Sequence, residues 1–230
     1  MGQYYAPVVL KENWKNEKQP VVASLKCYNF GNGAKLMEHS YVHNNFVGAA
    51  MKMIDLFDPD KKGVIFAWVG DYADLKDTSV YPIVKVEKTR EDGSIYEDEE
   101  GGVDIHGMAW QFIDHGDYNN NTPEYIELEK TIGKKLYQYR YIINHDKKQY
   151  VVVPTFKPQS WIIHPLPILT ADGNGRGGGD YYTEDRSGDK KPNAKFVGVW
   201  AYDHISVSNR KSDCEGIGME RIDWFKECED

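Results

Sequence analysis

No stretch of this chain approaches the roughly 20 consecutive apolar residues that a membrane-crossing helix requires. No basic, apolar leader precedes the strand-like Gln3-Tyr4-Tyr5, and Gly2 lacks the Ser or Thr at position 6 that myristoylation needs. The sequence therefore predicts a protein without membrane association. Cysteine is scarce: the three residues, Cys27, Cys214 and Cys228, are odd in number and widely spaced. That pattern fits reduced thiols in a cytoplasmic protein rather than a disulfide framework, with a Cys214–Cys228 pair as the alternative. Clustered positive charge is also missing. The formal charge is −8, and the short pairs Lys147-Lys148 and Lys190-Lys191 are flanked by acids. Such an acidic chain is not expected to wrap nucleic acid or to adhere to an anionic membrane. Its expected partner is a small molecule or a protein.

Complete catalytic and metal motifs are lacking as well. There is no Gly-x-Ser-x-Gly nucleophile elbow. His39 and His43 have the one-turn spacing of a zinc helix, but Glu38 precedes the first His instead of following it, and no third ligand has a recognisable spacing. No metal and no cofactor are expected.

What the chain does have is glycine in one place. Positions 173–179 carry five glycines within Asp172-Gly173-Asn174-Gly175-Arg176-Gly177-Gly178-Gly179-Asp180-Tyr181. Such a run belongs where backbone turns with positive φ or lies against another surface. Gly173-x-Gly175-x-x-Gly178 formally fits a dinucleotide fingerprint, but the acidic Asp180–Asp185 stretch and Pro192 follow where a helix N-terminus is needed. Asp172, Asn174 and Gly177 occupy calcium-loop positions, yet Arg176 stands where an oxygen ligand belongs and Thr183 where a bidentate Glu belongs. Two readings stay open. The loop is either an ordered surface turn, or a binding loop in which Arg176 pairs with a carboxylate or phosphate beside Asp180 and Tyr181. In the second reading Gly177, Gly178 and Gly179 permit close approach, and Glu38 and His39 line the same cleft.

Along the chain, Gln3–Leu10 and Pro20–Tyr28 read as paired strands, and Gly63–Tyr72 as a central apolar strand. Phe46, Ala50, Met53 and Phe57 have helical spacing, so Asn45–Phe57 is expected to be a helix that ends at Asp58-Pro59. Tyr81–Lys88 and Ser94–Tyr96 predict a hairpin about Glu91-Asp92-Gly93, and Glu97–Glu100 a solvated acidic loop. Val103–Ile113 reads as a strand and the segment after Thr122-Pro123 as a helix. Tyr137–Ile143 and Gln149–Val153 predict a hairpin, Trp161–Leu169 and Phe196–Val207 strands, and Met219–Cys228 a helix. The sum is a single α+β domain over 1–230, a mainly antiparallel sheet with two or three helices packed on it. Gly-Asp-Tyr recurs at 70–72, 116–118 and 179–181 with irregular spacing, which suits strand ends where Gly turns the chain and Asp caps it.

Four patches, Lys35–Tyr41, Asn144–Tyr150, Asn174–Tyr181 and Val197–Asp203, resemble a group of uncharacterised bacterial and phage-associated proteins with Gly-Asp-Tyr and Asn-His-x-Lys-Lys signatures. The chain departs from that pattern at Tyr202, where the group has glycine in Trp-Ala-Gly-Asp. The resemblance implies a widespread domain and no particular chemistry. On these grounds the expected function is a non-catalytic binding or interaction domain. The alternative is a hydrolase or glycosidic-bond enzyme acting on a small polar or nucleotide-like substrate, with Asp180 or Asp71 as acid/base, Arg176 as anion clamp and His39 as proton shuttle.

Overall fold

Val64-Ile-Phe-Ala-Trp-Val-Gly70 alternates between two buried faces, and this run forms the strand about which the chain is organised. The computed structural model describes residues 3–17, 20–71, 73, 84–90, 93–100, 105–107, 109, 139–154, 162–173, 181, 194–215 and 218–224, with backbone alone for 84–88 and 96–100. The strands are β1 (Tyr5–Leu10), β2 (Val21–Ser24), β3 (Val64–Gly70), β4 (Val84–Thr89), β5 (Ile95–Glu100), β6 (Tyr141–Asn144), β7 (Gln149–Val152), β8 (Ala171–Asp172), β9 (Asp203–Ser208) and β10 (Glu220–Arg221). Eight of them form one sheet in the order β10-β7-β6-β9-β3-β1-β2, with β8 also on β3, while β4 and β5 make a separate ladder. Pairing is antiparallel except for β3–β8 and β7–β10. One edge of β3 is divided between two partners: Val64–Phe66 pair with β9, and Trp68–Val69 with β8.

Helix α1 spans Leu36–His39 and α2 spans Asn45–Phe57. The Asn44 side chain caps α2 by accepting from Phe46 N at 2.8 Å, so an otherwise unpaired amide of the first turn is satisfied. Phe46, Ala50, Met53 and Ile54 are buried against Val9, Phe66, Trp68 and Val207 on one face of the sheet. The opposite face carries Val8, Ile65 and Ala67 under Ile105 and Ala109, and a separate cluster of Tyr141, Ile143, Tyr150 and Cys214. Between those two clusters β9 presents His204, Ser206 and Ser208, a polar row across an apolar surface. A fold that buries this row must supply it with hydrogen-bond partners.

Five expectations are corrected. Ile105–Gly107 and Ala109 are helical, not strand. Pro165–Leu169 is helix α3, started by His164, whose Nδ1 accepts from Leu166 N at 3.1 Å, and by Pro165 in the first turn, where its missing N–H costs nothing. Glu97–Glu100 lies in β5 rather than in a loop, with Glu99 opposite Lys85 across the ladder. Between Phe196 and Tyr202 the chain turns repeatedly, with Gly198 N bonded to Ile168 O and Trp200 N to Leu169 O, so β9 begins only at Asp203. Near the C-terminus, Glu220–Arg221 is a strand and the short helix α4 lies earlier, at Ser212–Glu215. The helix expected after Thr122 lies outside the described residues.

Tyr202 has φ +66°, the left-handed region that side chains seldom occupy. It is held there on several sides. Its N–H bonds to Phe66 O, its hydroxyl to Asp172 at 2.5 Å, and its ring stacks on Trp14 with centroids 4.8 Å apart.

Candidate functional site

The registers Tyr5↔Gly70 and Leu10↔Ile65 give β3 two distinct ends, and polar groups gather at both. At the Gly70 end, β8 runs beside β3 and delivers Gly173, with φ +79°, next to Gly70. A Cβ at Gly173 would meet the Ala73 amide at 2.7 Å, so this turn needs glycine on both counts. Tyr5 joins two segments here: its N–H donates to Ala34 O at 2.8 Å and its hydroxyl to Gly173 O. Asp71 accepts from Tyr4 N at 3.0 Å and donates its own N–H to Tyr4 O, closing the β1–β3 ladder.

Glu38 and His39 also lie at this end. The Glu38 carboxylate reaches back to Lys35 N at 3.0 Å and secures the single turn of α1. His39 is fully buried. Trp68 Nε1–H, which can only donate, points at His39 Nε2 at 3.0 Å, so the proton sits on Nδ1, which donates to Gly33 O at 3.0 Å. Burial lowers the His39 pKa to about 4 and keeps the ring neutral. His43 is not one helical turn above it: α1 ends at His39, and His43 has φ +68°. Tyr181 is buried in the core on the α2 side of the sheet. Arg176, Gly177, Gly178, Gly179 and Asp180 lie outside the described residues.

The Val64 end carries groups that no local spacing announces. Asp58, 3 % exposed, accepts from Lys62 N at 2.8 Å, Gly63 N at 3.1 Å and Ser206 Oγ at 2.5 Å. Because the Ser206 proton goes to Asp58, His145 Nε2, 2.6 Å from Ser206 Oγ, is the donor of that pair. Burial holds the His145 pKa below its ordinary value, with Asp58 and Asp146 pulling the other way. With Ser206 only 1 % exposed, this Asp–Ser–His chain is a closed relay inside the fold and gives a substrate no access to the hydroxyl.

Beside it, His204 stands between two carboxylates. Nδ1 is 2.9 Å from Asp146 and Nε2 is 3.0 Å from Glu12. Burial works against the imidazolium, but the bonds to Glu12 and Asp146 outweigh it and raise the pKa. Gly63, φ +91°, is required here, since a Cβ would lie 2.8 Å from the His145 ring and 2.9 Å from the His204 backbone.

Past the relay, where β9 ends and β6 begins, a surface cleft of about 290 Å³ opens between Asp55, Lys61, Tyr139, Arg210 and Asp213. Asp55 accepts from Tyr139 Oη at 2.8 Å, from Lys52 at 3.2 Å and from Lys61. Burial tends to raise the Asp55 pKa, and these donors, Lys61 first, hold it below the usual range. Neither this cleft nor the His204 cluster follows from sequence alone, because their members come from segments up to 192 residues apart. The one local signal was the polar turn Asn144–Lys148, whose Asn144 side chain donates to Asp203 at 2.7 Å.

Among the described residues, no group of His, Cys, Asp and Glu is arranged to hold a metal ion, and no helix is long and apolar enough to cross a membrane. Comparison of the chain with known protein families, curated proteins and solved structures found no match.

Proposed function

We propose that the protein is a non-catalytic binding domain that takes a small polar ligand or a protein partner at the Gly70 end of β3, beside α1. The observation that carries this reading is Tyr5, bonded at once to the Ala34 and Gly173 carbonyls. It holds the residues that lead into the glycine-rich segment against the turn that leads into α1. In this reading Arg176 supplies a guanidinium for a carboxylate or phosphate, and Gly177–Gly179 let the ligand approach backbone closely. Two described groups capable of such chemistry, His39 and Cys27, favour binding over turnover. Both His39 nitrogens are engaged, and burial pushes the Cys27 thiol up to about 11.

A thermal-shift screen of carboxylates, nucleotides and sugars against wild type and Arg176→Ala tests the proposal. The expected result is a compound that stabilises wild type, with the shift reduced in Arg176→Ala and the unliganded melting temperature unchanged. Equal shifts in both proteins would remove Arg176 from the site. Mass-spectrometric conversion of a bound compound would overturn the non-catalytic reading.

A further inference from the structure

We propose that the cleft at the Ser208 end of β9 is a second binding site, and that it takes a small zwitterion of the amino-acid type, its anionic group on Arg210 and its ammonium on Asp213. The cleft lies at the opposite end of β3 from α1 and does not depend on the glycine-rich segment. Its volume of about 290 Å³ suits a ligand of metabolite size.

The charges that line it fall into two kinds. Asp55 and Lys61 pair with each other, and Asp55 is further held by Lys52 and Tyr139, so the one carboxylate of that wall is neutralised from within. Arg210 and Asp213 behave differently. They are close in sequence, opposite in charge and both on the cleft, yet neither has an ion-pair partner among the described residues. Among the described residues, Asp213 accepts only from the Ser208 and Ser212 hydroxyls, and the exposed Arg210 is fastened through its backbone N–H, which donates to Ser208 Oγ at 3.0 Å. Ser208 thus holds both residues to one short turn while the guanidinium and carboxylate remain unneutralised by each other.

Ligand chemistry follows from that arrangement. A simple anion that reached Arg210 would sit in a cleft that also presents Asp213, on a chain of net charge −8. A simple cation that reached Asp213 would face Arg210 and Lys61. A molecule with both groups satisfies both residues at once. Asn209, whose Oδ1 accepts from Arg140 N at 3.0 Å, keeps its amide donors for the anionic group beside Arg210.

The test is calorimetric titration of the full chain near pH 7 with glycine, valine, glutamate and lysine, with acetate and methylammonium as single-charge controls. We expect saturable binding of at least one amino acid, weakened tenfold or more by Arg210→Gln and by Asp213→Asn, and unaffected by Arg176→Ala. Asn at 213 retains an acceptor for Ser208; if that variant fails to fold, Arg210→Gln decides alone, because its exposed side chain bonds to nothing described. The proposal is overturned if no amino acid binds, if acetate or methylammonium binds as tightly, or if Arg210→Gln leaves affinity unchanged. Binding lost in Arg176→Ala but kept in Arg210→Gln would assign the ligand to the other end of β3 and equally overturn it.

Discussion

Trp68 Nε1–H donates to His39 Nε2 across 3.0 Å in a core where neither ring reaches solvent. The two rings are inclined by 28° with centroids 5.4 Å apart, and Phe46 packs edge-on against both. His39→Leu would keep much of the volume but leave the indole N–H and the Gly33 carbonyl without partners. The buried indole N–H left unpaired costs about 1–3 kcal/mol and the partly buried Gly33 carbonyl less, so the variant should lose roughly 1–4 kcal/mol. Urea denaturation measures this, and a loss below the range for a single group would mean the bonds contribute little.

Acid should destabilise the fold before its carboxylates protonate. Burial lowers His39 to about 4 and His164 to about 3, and the nearby His43 adds to the effect on His164. Between the ordinary value near 6.5 and these values the unfolded chain binds protons that the native protein refuses, so stability falls as pH drops. For His39 the full effect is on the order of 3 kcal/mol. His204 has the opposite sign: its raised pKa contributes stability below the ordinary histidine value that is lost as pH rises through the folded one. Urea midpoints measured from pH 7 down to 4.5 should decline, and His164→Asn, which keeps a cap acceptor, should flatten the decline. A midpoint that rises on acidification contradicts the assignment.

Ser206 and Asp58, 148 residues apart, should be energetically coupled. Ser206→Ala should cost about 1–2 kcal/mol, and Asp58→Ala more, because Asp58 also holds the Lys62 and Gly63 amides. A double-mutant cycle should return a coupling of at least about 0.5 kcal/mol. Additive losses would show that the short contact carries no net energy.

Cys27 and Cys214 are buried free thiols, and burial pushes each up to about 11. At neutral pH both should resist alkylation in the native protein and react once urea unfolds it. Thiol counting in denaturant without reductant should find the three cysteines of the sequence. A count of one would reveal a disulfide.

The parts of the fold that could be read from sequence are those fixed by near neighbours. Phe46, Ala50, Met53 and Phe57 mark α2 by spacing alone, and Asp58-Pro59 ends it. Likewise Asn144–Lys148 separates two apolar runs that become β6 and β7. Where the reading failed, a local preference yielded to a distant contact. The apolar run 161–169 resembled a strand, but His164 took a capping role more often filled by Ser or Asp, and Pro165 fitted the first turn it started. Glu97–Glu100 looked too charged to pair, yet β4 brings Lys85 opposite Glu99. The His204 cluster was invisible for the same reason: Glu12, Asp146 and His204 share no spacing, only the register of β9 on β3 and β6.

The backbone of Tyr202 carries a further implication, for the order in which the molecule comes apart. Its ring, hydroxyl and amide fasten Trp14, Asp172 and Phe66, three segments distant in sequence, at a residue whose conformation is itself unfavourable by about 1–2 kcal/mol. Such a residue behaves as a latch: its three contacts hold one another in place, and releasing any of them frees the strained backbone to relax away from the others. The turn at Trp14, strand β8 and the start of β9 should therefore open as one cooperative unit, and their amides should share a single exchange free energy. Tyr202→Gly would remove the strain and the latch together, so the three segments should then exchange independently. If they already do so in the wild type, the coupling is absent.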